Sequence, residues 1–232
     1  MNYNYLVKYI VLLQDKGNIM GNDYRSKDKF SVIIDAALEV FGEKGYYTAT
    51  ISEIARKAGV SEATIYEYFG SKEDLLFAIP GEITTQAVEF LEAMSPYIKG
   101  AENKIRASAY GYFNLYKNNP DYSSLVLLDL KHNRKFMEAE GYQAVKRSAA
   151  LILDAIEEGV RSGEFAEDID PYLVRSMILG TIEHVFFRWH LKGRKEEVAD
   201  FIDPMLGIIL GGIKRDGQPR AYQINITLPP QP

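Results

Sequence analysis

Apolar residues recur every three to four positions along most of this chain. Phe30, Ile33, Ile34, Ala37, Leu38 and Phe41 follow the i, i+3, i+4 spacing of a helix with one buried face, and Gly45 ends it. The same rhythm predicts short helices over about 50–58, 61–69 and 71–79. Longer ones are expected near 82–97, 102–117, 120–130, 134–162, 171–191 and 195–213. Gly163, the Asp170-Pro171 pair and Gly193 fall at the breaks, as helix punctuation should. The pattern predicts an all-α protein with a small N-terminal domain and a larger helical domain.

Two segments depart from that rhythm. Tyr222, Ile224, Ile226 and Leu228 alternate with polar residues at the period of a strand. A lone strand has no obvious partner in an all-α chain; pairing across a dimer is the alternative, and residues 216–232 are read as a tail. At the other end, Tyr3 to Leu13 is apolar but too short to span a bilayer, and it lacks a signal peptide's basic lead and cleavage site. Lys16-Gly17 implies a purine-rich coding stretch at ribosome-binding distance before Met20. Residues 1–22 are therefore expected to be an extension, with Met20 the natural start; a true N-terminal helix is the alternative.

The densest local signal runs from Thr50 to Leu76. Thr50 and Glu53 form a capping box, so a helix starts there. Ile54, Ala55 and Ala58 are apolar at helical spacing, and Gly59 suits a left-handed turn. Val60 plugs the space between two helices, and Ser61 caps the second, whose inward face is Ile65 and Phe69. Ser71, with Asp74, caps a third. Small residues at Ala55 and Gly59 allow the close crossing that a helix-turn-helix needs. Such a unit sets the start of its second helix in the major groove of DNA. The hydroxyls of Thr50, Ser52, Ser61, Thr64, Tyr66 and Tyr68, with Lys72, are candidate phosphate contacts. Ala63 admits a close approach or a thymine methyl, and Glu62 can accept from cytosine N4.

Composition changes this picture little. The chain has 232 residues, 47% hydrophobic and 25% charged, with a net charge of -5. With no cysteine, disulfides and thiolate chemistry are excluded, which suits the cytoplasm. Local charge matters more. Between Asp23 and Leu75, seven basic residues face ten acidic ones, a net of about -3 and the wrong sign for general DNA affinity. Binding must then rest on a few placed cations, with Arg25, Lys27 and Lys29 as an arm before the first helix. Weak non-specific binding and a shallow salt dependence are expected.

Ile54-Ala55, Ala58-Gly59-Val60-Ser61, Thr64-Ile65-Tyr66-Glu67-Tyr68-Phe69 and Ser71-Lys72-Glu73 together resemble the signature of the tetracycline-repressor (TetR) family. Ala36-Ala37, Phe41 and Lys44-Gly45-Tyr46 fit as well, so the resemblance covers roughly residues 28–80. Ala63 stands where many members have Gly, and Glu62 and Glu67 are acids where neutral or basic residues are commoner. These departures put the operator sequence in doubt, not the family.

The resemblance implies a helix-turn-helix domain at 23–79 and a helical ligand-binding and dimerisation domain at 80–215. It implies a homodimer on a roughly palindromic operator, repression as the commonest mode, and a small-molecule effector. In the family the last two long helices usually build the dimer. Here that nominates Met177, Ile178, Thr181, Ile182, Val185 and Trp189 on the first and Ile202, Met205, Leu206, Ile209 and Leu210 on the second, with Gly207, Gly211 and Gly212 permitting close approach; many of these residues equally suit the core of a single chain. The effector candidates are Tyr112, Phe113, Tyr116, Phe136, Tyr142 and Phe186, an aromatic set suited to a large apolar ligand, although such a stripe more often fills a core. Glu183-His184 to Phe187-Arg188-Trp189-His190 resembles fatty-acid-responsive members, which points to a long-chain acyl-CoA. Pro80-Gly81 is expected to break or kink the helix joining the domains and act as a hinge.

Two other classes compete. A helical protein-interaction module without DNA binding would show the same periodicity. An enzyme is disfavoured: there is no nucleophile elbow, no phosphate-cradling glycine loop and no HExxH, and the three histidines, His132, His184 and His190, form no ligand set. No cofactor, metal or membrane partner is expected.

Overall fold

A computed structural model describes residues 29–195 and 197–215. Among them every regular element is a helix, apart from an isolated bridge between Phe165 and Lys214. Arg25, Lys27, the 1–22 extension and the alternating 222–228 segment lie outside the described residues.

Three helices form the N-terminal unit: α1 (Lys29–Lys44), α2 (Ile51–Ala58) and α3 (Glu62–Phe69). Then come α4 (Lys72–Met94), α5 (Ala101–Asn118), the short α6 (Pro120–Ser124), which runs into a π-helical turn Leu125–Leu130, and α7 (Gly141–Arg161). The chain finishes with α8 (Pro171–Leu191) and α9 (Ile202–Ile213). The expected breaks hold. Gly163 and Gly193 take positive φ, and Asp170 caps α8 by accepting the Tyr172 amide at 2.8 Å. Among the described residues no helix is long and apolar enough to cross a membrane.

Three boundaries differ from expectation. The 134–162 helix begins only at Gly141, after a 3-10 turn Phe136–Glu138; the last helix starts at Ile202; and 120–130 changes to π geometry at Leu125. The largest difference is at Pro80-Gly81. No break occurs there, and α4 runs through both residues from the N-terminal unit deep into the larger domain. The cause is tertiary. Pro80 is buried, and Gly81 lies against the first residue of α7: a β-carbon on Gly81 would be 3.0 Å from the Gly141 Cα. One on Gly141 would be 2.0 Å from the Phe77 carbonyl oxygen. The glycines are there so that two helix backbones can touch, and packing holds the proline inside a helix it would otherwise disfavour. The domain boundary expected at residue 80 thus falls within a continuous helix.

A single connected apolar core runs from Ile33 in α1 to Ile213 in α9. α7 lies along both α4 and α5 and is the central element of the larger domain. The N-terminal unit is tied to that domain at several points. Asp121 of α6 presses on Gly42 of α1, where a β-carbon would sit 2.7 Å from the aspartate side chain. Ser31 donates to Glu82 at 3.2 Å, Lys135 pairs with Glu73 at 2.9 Å, and the Phe77 and Phe136 rings are 5.7 Å apart.

Candidate nucleic-acid interface and effector site

The caps that build the N-terminal unit are those its sequence predicts. The Thr50 hydroxyl accepts the Glu53 amide at 3.3 Å, and Glu53 accepts the Thr50 amide at 3.1 Å, which closes the box. Hydrogen bonds from Lys44 and Thr50 hold the Glu53 carboxyl down to about 2. Gly59 turns the chain at φ 69°, and Ser61 accepts the Thr64 amide at 3.1 Å. Ser71 does the same for Asp74 at 3.0 Å. Ile54, Ala55, Ile65 and Phe69 are buried between the helices, and Val60 is half-buried against them.

That burial turns the other face of α3 to solvent. Glu62, Ala63, Tyr66, Glu67 and Tyr68 are exposed, and Thr64 is half-buried with its hydroxyl 2.9 Å from that of Ser61. Tyr68 has a second role, because its ring flanks Phe30 and Phe69 at the edge of the core. On α2, Ser52 and Arg56 are exposed and one turn apart. Lys72 lies 4.6 Å over the Tyr46 ring, and partial burial lowers its pKa. Beside it Tyr47 is 90% exposed. Tyr47 and Arg56 extend the candidate set. A pair of tyrosines in a loop after Gly45 was the available signal for the first. Other cations are engaged: Lys44 pairs with Glu53, and Lys57 with Glu39 and Glu43. Arg56 stands outside these pairs.

In the larger domain the six aromatic candidates do not converge on one place. Tyr112 and Tyr116 line a cavity of about 10 Å³ together with Thr84, Leu115, Tyr122, Val126, Val145 and Ser148. Phe113 and Phe186 form a ring cluster behind it, Phe186 standing edge-on to Tyr116 at 5.6 Å. Phe136 and Tyr142 belong to a separate cluster with Phe77 under α4. Sequence reasoning missed Thr84, Tyr122 and Lys131. The Tyr112 hydroxyl donates to Glu183 at 2.8 Å and meets the Tyr116 hydroxyl at 2.9 Å. Lys131 pairs with the far side of the same carboxylate. Thr84 and Tyr122 are bonded to each other at 2.7 Å. Burial raises the phenol pKa of Tyr112 and Tyr116 well above its usual value and pushes Tyr122 up to about 12, so all three are neutral donors. A second cavity, about 100 Å³, opens between Leu91, Ile98, Ala107 and Leu151, with the Lys104–Glu158 pair among its lining residues.

Residues 33–79 match the model of the bacterial regulatory proteins of the tetR family, and residues 84–212 match the C-terminal region of YsiA-like proteins. The chain belongs to the tetR family. It is a helix-turn-helix transcriptional regulator. A fatty acid metabolism regulator protein of Bacillus subtilis is 30% identical over 189 residues, which cover 82% of this chain and 97% of that protein. The crystal structure of the transcriptional regulator FadR from Bacillus subtilis in complex with stearoyl-CoA superposes with a TM-score of 0.73, at 30% identity, over 79% of this chain and 99% of that one. The fatty acid degradation regulator FadR from Bacillus halodurans gives the same TM-score at 29% identity, over 82% and 100%.

The dimer residues nominated in this tetR-family chain divide between a buried and an exposed face. Ile178, Ile182, Ile202, Leu206 and Ile209 are buried inside the single chain, and Val185 and Trp189 are half-buried against its core. The five buried side chains hold α8 and α9 to the bundle, whereas Val185 and Trp189 keep part of their surface exposed. The exposed stripe of α8 includes the nominated Met177 and Thr181, together with Tyr172, Leu173, Gly180, His184, Phe187 and Leu191. That of α9 includes Pro204, Gly207, Ile208, Gly211 and Gly212.

One histidine–serine contact looks chemical but is structural. Arg194 Nε donates to His190 Nδ1 at 3.3 Å, so the neutral ring carries its proton on Nε2. That proton points at Ser123 Oγ, 2.8 Å away, and Ser123 in turn donates to the Pro120 carbonyl at 3.1 Å. The imidazole is a donor here and cannot draw a proton from the serine.

Proposed function

We propose that this regulator acts in the cytoplasm as a homodimeric repressor on a palindromic operator and is released by a long-chain acyl-CoA. The observation that carries the effector is the hydroxyl-lined cavity between α4, α5, α6 and α7. It occurs in a chain that matches, over 79% of its own length, nearly the whole of a regulator crystallised with stearoyl-CoA. Both cavities are far below the roughly 300–1,000 Å³ of small-molecule sites. An acyl chain must therefore part the helices to enter. The helices it would part are α4, which starts in the reading head, and α6, which presses on α1. Entry of the ligand and movement of the head are one event, and the cost of parting the helices is the coupling.

The adjacent exposed faces of α8 and α9 support two-fold assembly, since they carry apolar side chains beside Gly180, Gly207, Gly211 and Gly212, which permit close approach. The reading head supports DNA recognition through the α3 N-terminus, Ser52, Arg56 and the tyrosine hydroxyls. Arg25 and Lys27 remain proposed as an arm.

A gel shift with the promoter of the protein's own gene, repeated with stearoyl-CoA, tests this reading. A retarded band that the thioester releases and free coenzyme A does not is the expected result. Retardation that no acyl-CoA affects would remove the effector. No retardation at low salt would favour a protein-interaction module.

A further inference from the structure

Hydroxyl protons can be counted around the inner cavity. Tyr112 gives its proton to Glu183, so the 2.9 Å contact between Tyr112 and Tyr116 must be donated by Tyr116. Ser148 donates to the Val145 carbonyl at 2.8 Å. Thr84 and Tyr122 are different. They hold two protons between them and share one hydrogen bond, of 2.7 Å. Whichever donates, one proton has no acceptor among the described residues, and the pair is 3% and 2% exposed. A buried donor without an acceptor is costly, and the cavity beside it has room for about one small group.

We propose that the Thr84–Tyr122 pair reads the carbonyl oxygen of the effector. This rests on the acyl-CoA reading above and adds to it which group of the ligand is recognised, and where. A saturated chain offers no acceptor to this pair, whereas the thioester carbonyl does. The placement also links recognition to response. Thr84 belongs to α4, three turns along from its start in the reading head. Tyr122 follows Asp121, the residue seated on Gly42 of α1. An oxygen that takes the free proton sits at a contact between two of the elements tied to the head.

The test compares palmitoyl-CoA with S-hexadecyl-CoA, a thioether of equal chain length in which a methylene replaces the carbonyl. Calorimetry on the full chain is expected to show the thioester binding roughly tenfold tighter, the usual scale for one buried hydrogen bond. Thr84→Val and Tyr122→Phe each leave one hydroxyl, so each single variant retains the preference. The double variant abolishes it. Thermal unfolding checks that the near-isosteric changes leave the fold intact. A second readout does not depend on variants: the carbonyl stretch of bound 13C-labelled palmitoyl-CoA should shift to lower frequency than in its free form. Equal affinity of the wild type for thioester and thioether would overturn this inference alone, and a preference that survives in the double variant would do the same. If neither molecule binds, the acyl-CoA reading falls, and this one with it.

Discussion

Gly141 lies so close to Phe77 that a β-carbon on the glycine would stand 2.0 Å from the phenylalanine's carbonyl oxygen. Because the obstacle is backbone, it cannot rotate away. Gly141→Ala should therefore push the start of α7 off α4, at a cost of about 1–3 kcal/mol or more. Gly81→Ala meets only the Gly141 Cα, at 3.0 Å, and should cost less. Urea unfolding of the two variants checks the order, and a harmless Gly141→Ala would mean that the crossing is looser than described.

Lys44 and Lys57 are held by acids of their own head, which leaves Arg56 as an exposed cation on the α2 face. Arg56→Ala should weaken operator and unrelated DNA alike and lower the salt slope by about 1 per head. The wild-type slope should itself be shallow. Fluorescence anisotropy across a salt series measures both. A steep wild-type slope, unchanged by the substitution, would place the phosphate contacts elsewhere.

How much of this was legible beforehand depended on distance along the chain. Thr50, Ser61, Ser71 and Asp170 cap helices with partners two or three residues away, so the helix starts could be read directly. Pro80-Gly81 was misread because its reason is Gly141, 60 positions on. α8 was legible only in part, since residues of both its faces were nominated together. It is apolar on two faces, and periodicity cannot say that Ile178, Ile182 and Phe186 turn inward while Met177, Thr181 and Phe187 face out. Thr84 and Tyr122 are 38 residues apart, and nothing local announces their bond.

The two faces of α8 can be separated by experiment. Met177→Glu or Phe187→Glu places a charge on the exposed stripe without touching the core, so the chain should fold but run as a monomer in light scattering. Operator affinity should fall steeply, because one head alone loses the second half-site. Ile182→Glu should instead unfold the domain, because it buries an unpaired charge. A monodisperse Phe187→Glu dimer with normal operator binding would move the interface off this face.

His190 supplies a pH test. Burial, with Arg194 alongside, lowers its pKa from the usual 6.5 to about 4, and Asp121 offsets this only in part. Above pH 6.5 the ring is neutral in both folded and unfolded chains and contributes no pH dependence. Between about 6.5 and 4 the unfolded chain binds the proton and the folded one does not, so stability must fall as pH falls through that window. The imidazole is only half withdrawn from solvent, which limits the loss to about 1–2 kcal/mol. Protonation would also put a second donor on Nδ1, facing the Arg194 guanidinium. His190→Gln cannot titrate. Urea unfolding at pH 7 and pH 4.5 should therefore show the wild type losing about 1–2 kcal/mol more than the variant, a difference that isolates His190 from the carboxylates common to both. Equal losses would mean that the ring is solvated and its contacts to Ser123 and Arg194 do not persist in solution.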